Sequence, residues 1–263
     1  MTEAAVPPAT SQGEGTPPLV LLHAFPLDGR MWAPQVGALS DGYQVVVPDF
    51  RGFGAARDQV VEVAEMDMLA DDLARLLDER ALDQVVLCGL SMGGYVAFAF
   101  ARRHPDRLRG LVLAATKATA DDEQAVAARL EMADRVLAQG VAFLPEAMLP
   151  TLLGASTRRL RPGLVQKVTK LLLEQEPAAV AAAQRGMARR PDVTAELAAI
   201  TVPTLVLCGT EDERFGPEVG RALAAGIPNA TFVQIPEAGH LLNLEQPAQV
   251  NEALLDFVAP LWI

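Results

Sequence analysis

Short apolar runs alternate along the chain with longer stretches whose apolar residues recur at helical spacing. Pro18–His23, Tyr43–Pro48, Gln84–Cys88, Leu108–Ala115, Thr204–Cys208 and Thr231–Ile235 are mostly apolar and of strand length. Runs of this kind are expected where a strand is covered on both faces. Between them, Asp28–Leu39, Asp67–Arg80, Tyr95–Ala101 and Pro247–Phe257 read as helices. Asp67–Arg80 places acids early and an arginine last, as the helix dipole favours. Strands alternating with helices predict an α/β fold, a mostly parallel sheet flanked by helices. The alternation breaks from Lys117 to Pro191, a stretch rich in Leu, Ala, Met and Arg with helical periodicity and no strand signal. The predicted organisation is an α/β core over residues 18–116 and 192–263, with a helical cap over 117–191 inserted above the C-terminal edge of the sheet. Residues 1–17, rich in Pro, Ala, Ser, Thr and Gly, are expected to form a loose lead-in.

Composition narrows the classes of partner. The 263 residues are 51% hydrophobic, enough to bury one large core. A net charge of −11 argues against a nucleic-acid partner, which demands basic surface. No apolar run approaches bilayer-spanning length, so no membrane partner is expected. The first 29 residues hold no Lys or Arg and no apolar core, so a secretory signal is not expected and a cytoplasmic location is. Cys88 and Cys208 lie in apolar strand runs and read as buried free thiols rather than a disulfide. The charge is unevenly spread: 117–191 holds 11 basic and 8 acidic residues, including all three lysines.

The strongest chemical signal is Gly89-Leu90-Ser91-Met92-Gly93. A strand run precedes this G-x-S-x-G and a small-residue helix follows it. That context makes the pentapeptide a nucleophile elbow, with Ser91 held out at the top of the sheet. The competing reading is a serine N-cap on an ordinary βα turn. A serine nucleophile needs a base, and the base needs an acid to orient it. On this architecture the three follow in the order Ser, Asp or Glu, His. Of the three histidines, His23 precedes Ser91, His104 lies at a polar helix end, and His240 alone comes late in the chain. Asp212, after the Thr204–Cys208 strand, is the chosen acid. Glu211 and Glu213 are its neighbours, and Asp121 and Asp122 form a second candidate position. The oxyanion donors are the backbone N–H of Met92, the residue after the nucleophile, and of Phe25, after the first strand. Pro26 has no N–H to give.

Five motifs in order carry a resemblance: His23-Ala24-Phe25-Pro26-Leu27-Asp28, Asp49-Phe50-Arg51-Gly52-Phe53-Gly54, Gly89-Leu90-Ser91-Met92-Gly93-Gly94, Gly209-Thr210-Glu211-Asp212, and Gly239-His240 with Glu245-Gln246-Pro247. The chain resembles the α/β-hydrolase superfamily with a helical cap, in the carboxylesterase, 3-oxoadipate enol-lactonase and cofactor-free perhydrolase group. The resemblance runs from Pro18 to the C-terminus and is weakest in the cap. It implies that Asp212 is the orienting acid, that Phe25 and Met92 are the oxyanion donors, and that His23 and Arg51 brace loops around the site. Three features depart from the group. Ala24 stands where Gly is usual, Ala55 and Ala56 follow where a Ser is common, and the lead-in is too short and turn-rich for the antiparallel pair that usually opens this fold. The sheet is therefore expected to lack one or both opening edge strands.

Ser91 in place of an Asp nucleophile excludes epoxide or haloalkane chemistry, and both tyrosines, Tyr43 and Tyr95, fall outside the cap. The cap has no Trp and only Phe143 as an aromatic, which weakens the lactonase and carbon–carbon hydrolase readings. Candidate cap residues over the site are Met132, Leu137, Val141, Met148 and Leu152. The expectation is a serine hydrolase of carboxylic esters with small to medium apolar acyl groups, working through Ser91, His240 and Asp212. The alternatives are an enol-lactonase or carbon–carbon hydrolase of the same fold, or a non-catalytic ligand receptor. The implied partner is a small ester or lactone. No metal or organic cofactor is implied, since the histidines lack ligand spacing and no dinucleotide fingerprint occurs. Neither a monomer nor a homo-oligomer is indicated.

Overall fold

A computed structural model of the chain describes residues 6–15 and 18–262. Its sheet contains β1 (Ala9–Gln12), β2 (Leu19–Leu22), β3 (Val45–Pro48), β4 (Val85–Leu90), β5 (Leu108–Ala114), β6 (Thr204–Gly209) and β7 (Ala230–Ile235), in the order β1-β3-β2-β4-β5-β6-β7. Every pairing is parallel except that of β1 with β3. Helices α1 (Ala33–Leu39), α2 (Met66–Glu79) and α3 (Met92–Arg103) connect β2 through β5. Between β5 and β6 come α4 (Glu123–Gln139), α5 (Leu144–Leu152), α6 (Ala155–Leu160), α7 (Pro162–Leu173) and α8 (Pro177–Ala188). Helix α9 (Pro217–Gly226) precedes β7, and α10 (Leu242–Glu245) and α11 (Pro247–Val258) follow it. None of the described helices is long and apolar enough to cross a membrane.

The continuous apolar strands are buried on both faces: every residue of β2, β3, β4 and β6 is inaccessible to solvent. Outer strand β7 is only partly covered, which is why its sequence is mixed. Two local expectations needed revision. The Asp28–Leu39 helix is a 3-10 turn over Gly29–Trp32 followed by α1. Pro34 lacks the N–H that a continuous helix would donate to the Arg30 carbonyl, and the Ala33 N–H takes that carbonyl instead. The lead-in is not wholly loose. Ala9–Gln12 pairs antiparallel with Val45–Pro48, so one opening edge strand is present. Its short polar sequence carries no alternation to reveal it. Residues 1–5 and 16–17 of that lead-in lie outside the described residues.

The strand order places the loops. From β2 the chain goes to β3 on one side, then returns to lay β4 on the other, so the C-terminal ends of β2 and β4 are neighbours (Leu22 opposite Gly89). Such a reversal opens a crevice at the carboxyl ends of the strands. Arg51, in the loop after β3, is fastened to α2 beside this crevice. Its Nε lies 2.5 Å and its Nη2 2.7 Å from the two carboxylate oxygens of Asp72, both residues being buried. Asp72→Asn removes the carboxylate from a buried guanidinium. The expected loss is about 3–5 kcal/mol of unfolding free energy, read by urea denaturation. A loss under about 1 kcal/mol, the size of an exposed pair, would contradict the bracing role.

Candidate active site

The chain between β4 and α3 turns at Ser91 with φ 55° and ψ −110°, a conformation rarely adopted by a residue with a side chain. Holding it costs roughly 1–3 kcal/mol, which the surroundings must offset. Four hydrogen bonds do so. The Ser91 N–H donates to Ala114 O at 2.9 Å, and the Ser91 carbonyl accepts from Gly94 N, Tyr95 N and the Thr116 hydroxyl. Two glycines make room. A Cβ at Gly89 would lie 2.2 Å from Gly93 O, and one at Gly93 would lie 2.4 Å from Leu22 O. Ser91 does occupy the N-cap position of α3, but its side chain makes no capping bond.

His240 and Asp212 meet. His240 Nδ1 lies 2.9 Å from Asp212 Oδ2, and both side chains are buried. The other carboxylate oxygen, Oδ1, accepts the Arg214 N–H at 2.8 Å and the Phe215 N–H at 3.1 Å. Burial alone would raise the Asp212 carboxyl. The charge and hydrogen bond of His240 and the two backbone N–H groups outweigh it and hold the carboxyl below its ordinary range. An ionised carboxylate only accepts, so His240 donates from Nδ1; in the neutral imidazole that tautomer leaves the lone pair on Nε2.

The alternative acids are engaged elsewhere. Asp121 takes Arg190 in a two-pronged pair at 2.6 and 2.7 Å, with Arg129 and Lys117 around it. Asp122 caps α4 through the Ala125 N–H. Neither bonds to His240. Glu211 binds Ser156, and Glu213 is exposed.

Among the described residues, neither predicted oxyanion donor gives its N–H to another acceptor. Met92 is the first residue of α3, so its N–H has no carbonyl one turn back. The loop before it in the crevice is closed by bonds from Leu27 N to Ala24 O and from Ala24 N to Met31 Sδ, which leave the Phe25 N–H free of the turn. His23 props this loop. Its Nδ1 lies 3.1 Å from Ala24 O, its Nε2 accepts the Phe50 N–H, and it packs on Phe50 and Phe53. Burial pushes its imidazole below the ordinary range despite nearby Asp49 and Asp28, so it stays neutral and structural.

Ser91 and His240 line one small, narrow cavity with Phe25, Tyr95, Arg129, Leu152, Met187 and Arg214. A larger groove of about 1420 Å³ runs beside β7 and α11, but no nucleophile and base meet there. Leu152 is the one anticipated cap residue that reaches the cavity, and Leu137 is 48% exposed. Tyr95, Arg129, Met187 and Arg214 escaped the sequence reading. Tyr95 had a signal, since it lies one helical turn beyond Ser91 on the same face. The cap arginine had none. Cys88 and Cys208 are free and buried, and burial pushes the Cys208 thiol up to about 11. Among the described residues no group of three or more His, Cys, Asp or Glu is arranged to hold a metal ion.

The sequence pattern of the alpha/beta hydrolase fold family matches residues 17–247. The chain belongs to that family. The thermophilic esterase of Thermogutta terrifontis, solved with malate bound, is 44% identical to this hydrolase and superposes with a TM-score of 0.94, covering 97% of this chain and 94% of its own. The enol-lactonase of Burkholderia xenovorans is 30% identical with a TM-score of 0.87, covering 95% of each chain. By sequence, 3-oxoadipate enol-lactonase 2 of Acinetobacter baylyi is 29% identical over 245 residues, 90% of this chain and 87% of the relative.

The charge cluster beside the cavity has a pH signature. Burial alone would raise the Asp121 carboxyl, but Arg190 and Arg129 outweigh it and hold it far below the ordinary range. A depressed folded pKa stabilises fully above the unfolded carboxyl value of about 3.9 and is lost as pH falls through the folded value. Asp121→Asn should therefore be less stable than the parent at pH 7, with the gap narrowing as pH drops below about 4. Denaturation series across pH read this, and a gap that does not change with pH would contradict it.

Proposed function

We propose that this hydrolase cleaves carboxylic esters through an acyl-enzyme on Ser91, with His240 as base and Asp212 as its orienting acid. The observation that carries the reading is the 2.9 Å contact between His240 Nδ1 and the ionised Asp212, in a pair whose imidazole shares a cavity with the strained Ser91. His240 Nε2 takes the Ser91 proton as Oγ attacks the ester carbonyl. Negative charge on the carbonyl oxygen is met by the Phe25 and Met92 N–H groups, each such donor contributing about 2.7–4 kcal/mol to the transition state. The alcohol leaves with the proton from His240. Water, deprotonated by the same imidazole, then attacks the acyl-enzyme and frees Ser91. Asp212 keeps its negative charge throughout and stabilises the transient imidazolium.

A second reading, hydrolysis of an enol-lactone or ester that carries a carboxylate, is favoured by the cavity's charge. Arg129 and Arg214 line it, and Lys117, Arg129 and Arg190 share the single carboxylate of Asp121. Asp192 and Asp212 offset part of this charge, and an anionic substrate would pair with the remainder.

Fluorophosphonate labelling tests the nucleophile first. The parent should label at Ser91 and Ser91→Ala should not, whereas an unlabelled, folded parent would leave the ligand-receptor reading. Asp212→Asn should lower kcat by about 10⁴-fold, as when the orienting acid of a triad is neutralised. Near-parent activity would remove Asp212 from the mechanism.

Matched nitrophenyl esters with and without a terminal carboxylate, set beside an enol-lactone, test the substrate. If charge decides, Arg129→Gln should lower kcat/KM for the anionic ester roughly 10-fold or more and spare the neutral one, the loss of one charge-assisted hydrogen bond. Equal losses on both esters would reject charge recognition at this position.

A further inference from the structure

Glu245 is wholly buried, yet it has no part in the acyl transfer just described. It sits where two backbone segments touch. One contains Gly239, the residue before His240. The other contains Gly154, between α5 and α6. A Cβ at Gly239 would lie 2.2 Å from Gly154 N. Glu245 joins the two: Oε1 accepts the Gly239 N–H at 3.0 Å and Oε2 accepts the Gly154 N–H at 2.8 Å. The buried Thr157 hydroxyl also bonds to this carboxylate. Alongside, Leu241 N donates to Leu152 O at 3.0 Å.

A matching attachment lies on the acid loop. The Glu211 carboxylate, one residue before Asp212, accepts the Ser156 N–H at 2.8 Å and the Ser156 hydroxyl at 2.5 Å. The segment from Leu152 to Ser156 is thus held by the two loops that carry Asp212 and His240, and Leu152 itself walls the cavity. Only a carboxylate offers two acceptor arms here. A glutamine would turn an NH₂ toward one of the two N–H groups and lose that bond. Burying a carboxylate costs several kcal/mol unless its lone pairs are satisfied, so apolar packing would be the simpler way to fill this space.

We propose that Glu245 is a positioning residue for His240, a buried clasp that sets the imidazole and the Leu152 wall of the cavity against each other through one carboxylate. The proposal rests on His240 acting as the base for Ser91. Misplacing a reacting group by about 1 Å can cost 10²-fold in rate, so a slackened clasp should show in the chemistry.

The test compares Glu245→Gln and Thr157→Val with the parent in the full chain. Three quantities are read: the fluorophosphonate labelling rate of Ser91, kcat and KM per folded molecule, and hydrogen exchange of amides 152–156 and 239–241. Glu245→Gln should slow labelling and lower kcat by roughly 10- to 100-fold with KM little changed. Exchange of both segments should quicken. Thr157→Val removes only the hydroxyl from the clasp and should move all three in the same direction by a smaller factor. It decides the matter should Glu245→Gln fail to fold. Labelling and kcat at parent levels in a folded variant overturn the positioning role, and so does unchanged exchange. A parent that never labels defeats the proposed function instead, and exchange still reads the clasp.

Discussion

The site depends on two empty spaces, those left by the absent side chains of residues 89 and 93. Gly93 lets α3 begin against the carbonyl of Leu22, and Gly89 lets the turn fold back on α3. Any Cβ there would force the helix away from the end of β2. The close approach has two consequences. It lifts Ser91 out of ordinary backbone geometry, and it sets the first N–H of α3 beside the loop after β2. The proposed nucleophile and oxyanion donors are therefore products of one steric constraint, and the four bonds around Ser91 hold the turn in place.

His240 arrives by a longer route. Its strand, β7, is three places from β4 in the sheet, so the loop after it must cross the end of β6. The Glu211 N–H, donated to Ala238 O at 2.8 Å, stitches that crossing. Asp212 is thereby brought under the imidazole. The helical insertion then presses on both loops rather than resting on the sheet alone. A polar set of buried Gln35 and Asn243 with half-buried Asn251 ties α1, α10 and α11 together beside it. Asn243 Oδ1 finds no partner among the described residues, and a buried network left incomplete in this way is costly.

Charge follows a different logic from packing. The chain as a whole is acidic, but Lys117, Arg129, Arg190 and Arg214 lie at or beside the cavity. Arg30 and Arg57 of the core pair with Glu174 and Glu176 of the insertion at the rim, where exposed pairs add little stability. Near Ser91 the balance reverses, with three cations on one buried carboxylate. An excess of one sign of charge in a cleft raises the local concentration of ligands of the opposite sign.

Sequence determined what local physics controls. Unbroken apolar runs made parallel strands, and G-x-S-x-G between a strand and a helix made the elbow. Chain order singled out His240 and the loop of Asp212. Where neighbours decide, the sequence was mute or misleading. Strand β1 is polar and exists only because Val45–Pro48 offers it a partner. Pro34 split a helix that periodicity had drawn as continuous. Asp121 and Asp212 were both plausible acids on loops after strands. Only the folded chain gave one to His240 and the other to three basic side chains. Arg129 and Met187 reach the cavity through packing of the insertion and Arg214 from the loop after β6, placements that no short motif encodes. Periodicity records which face of an element is buried. It does not record what that face meets, because contacts between elements far apart in the chain are set by the shape of the whole.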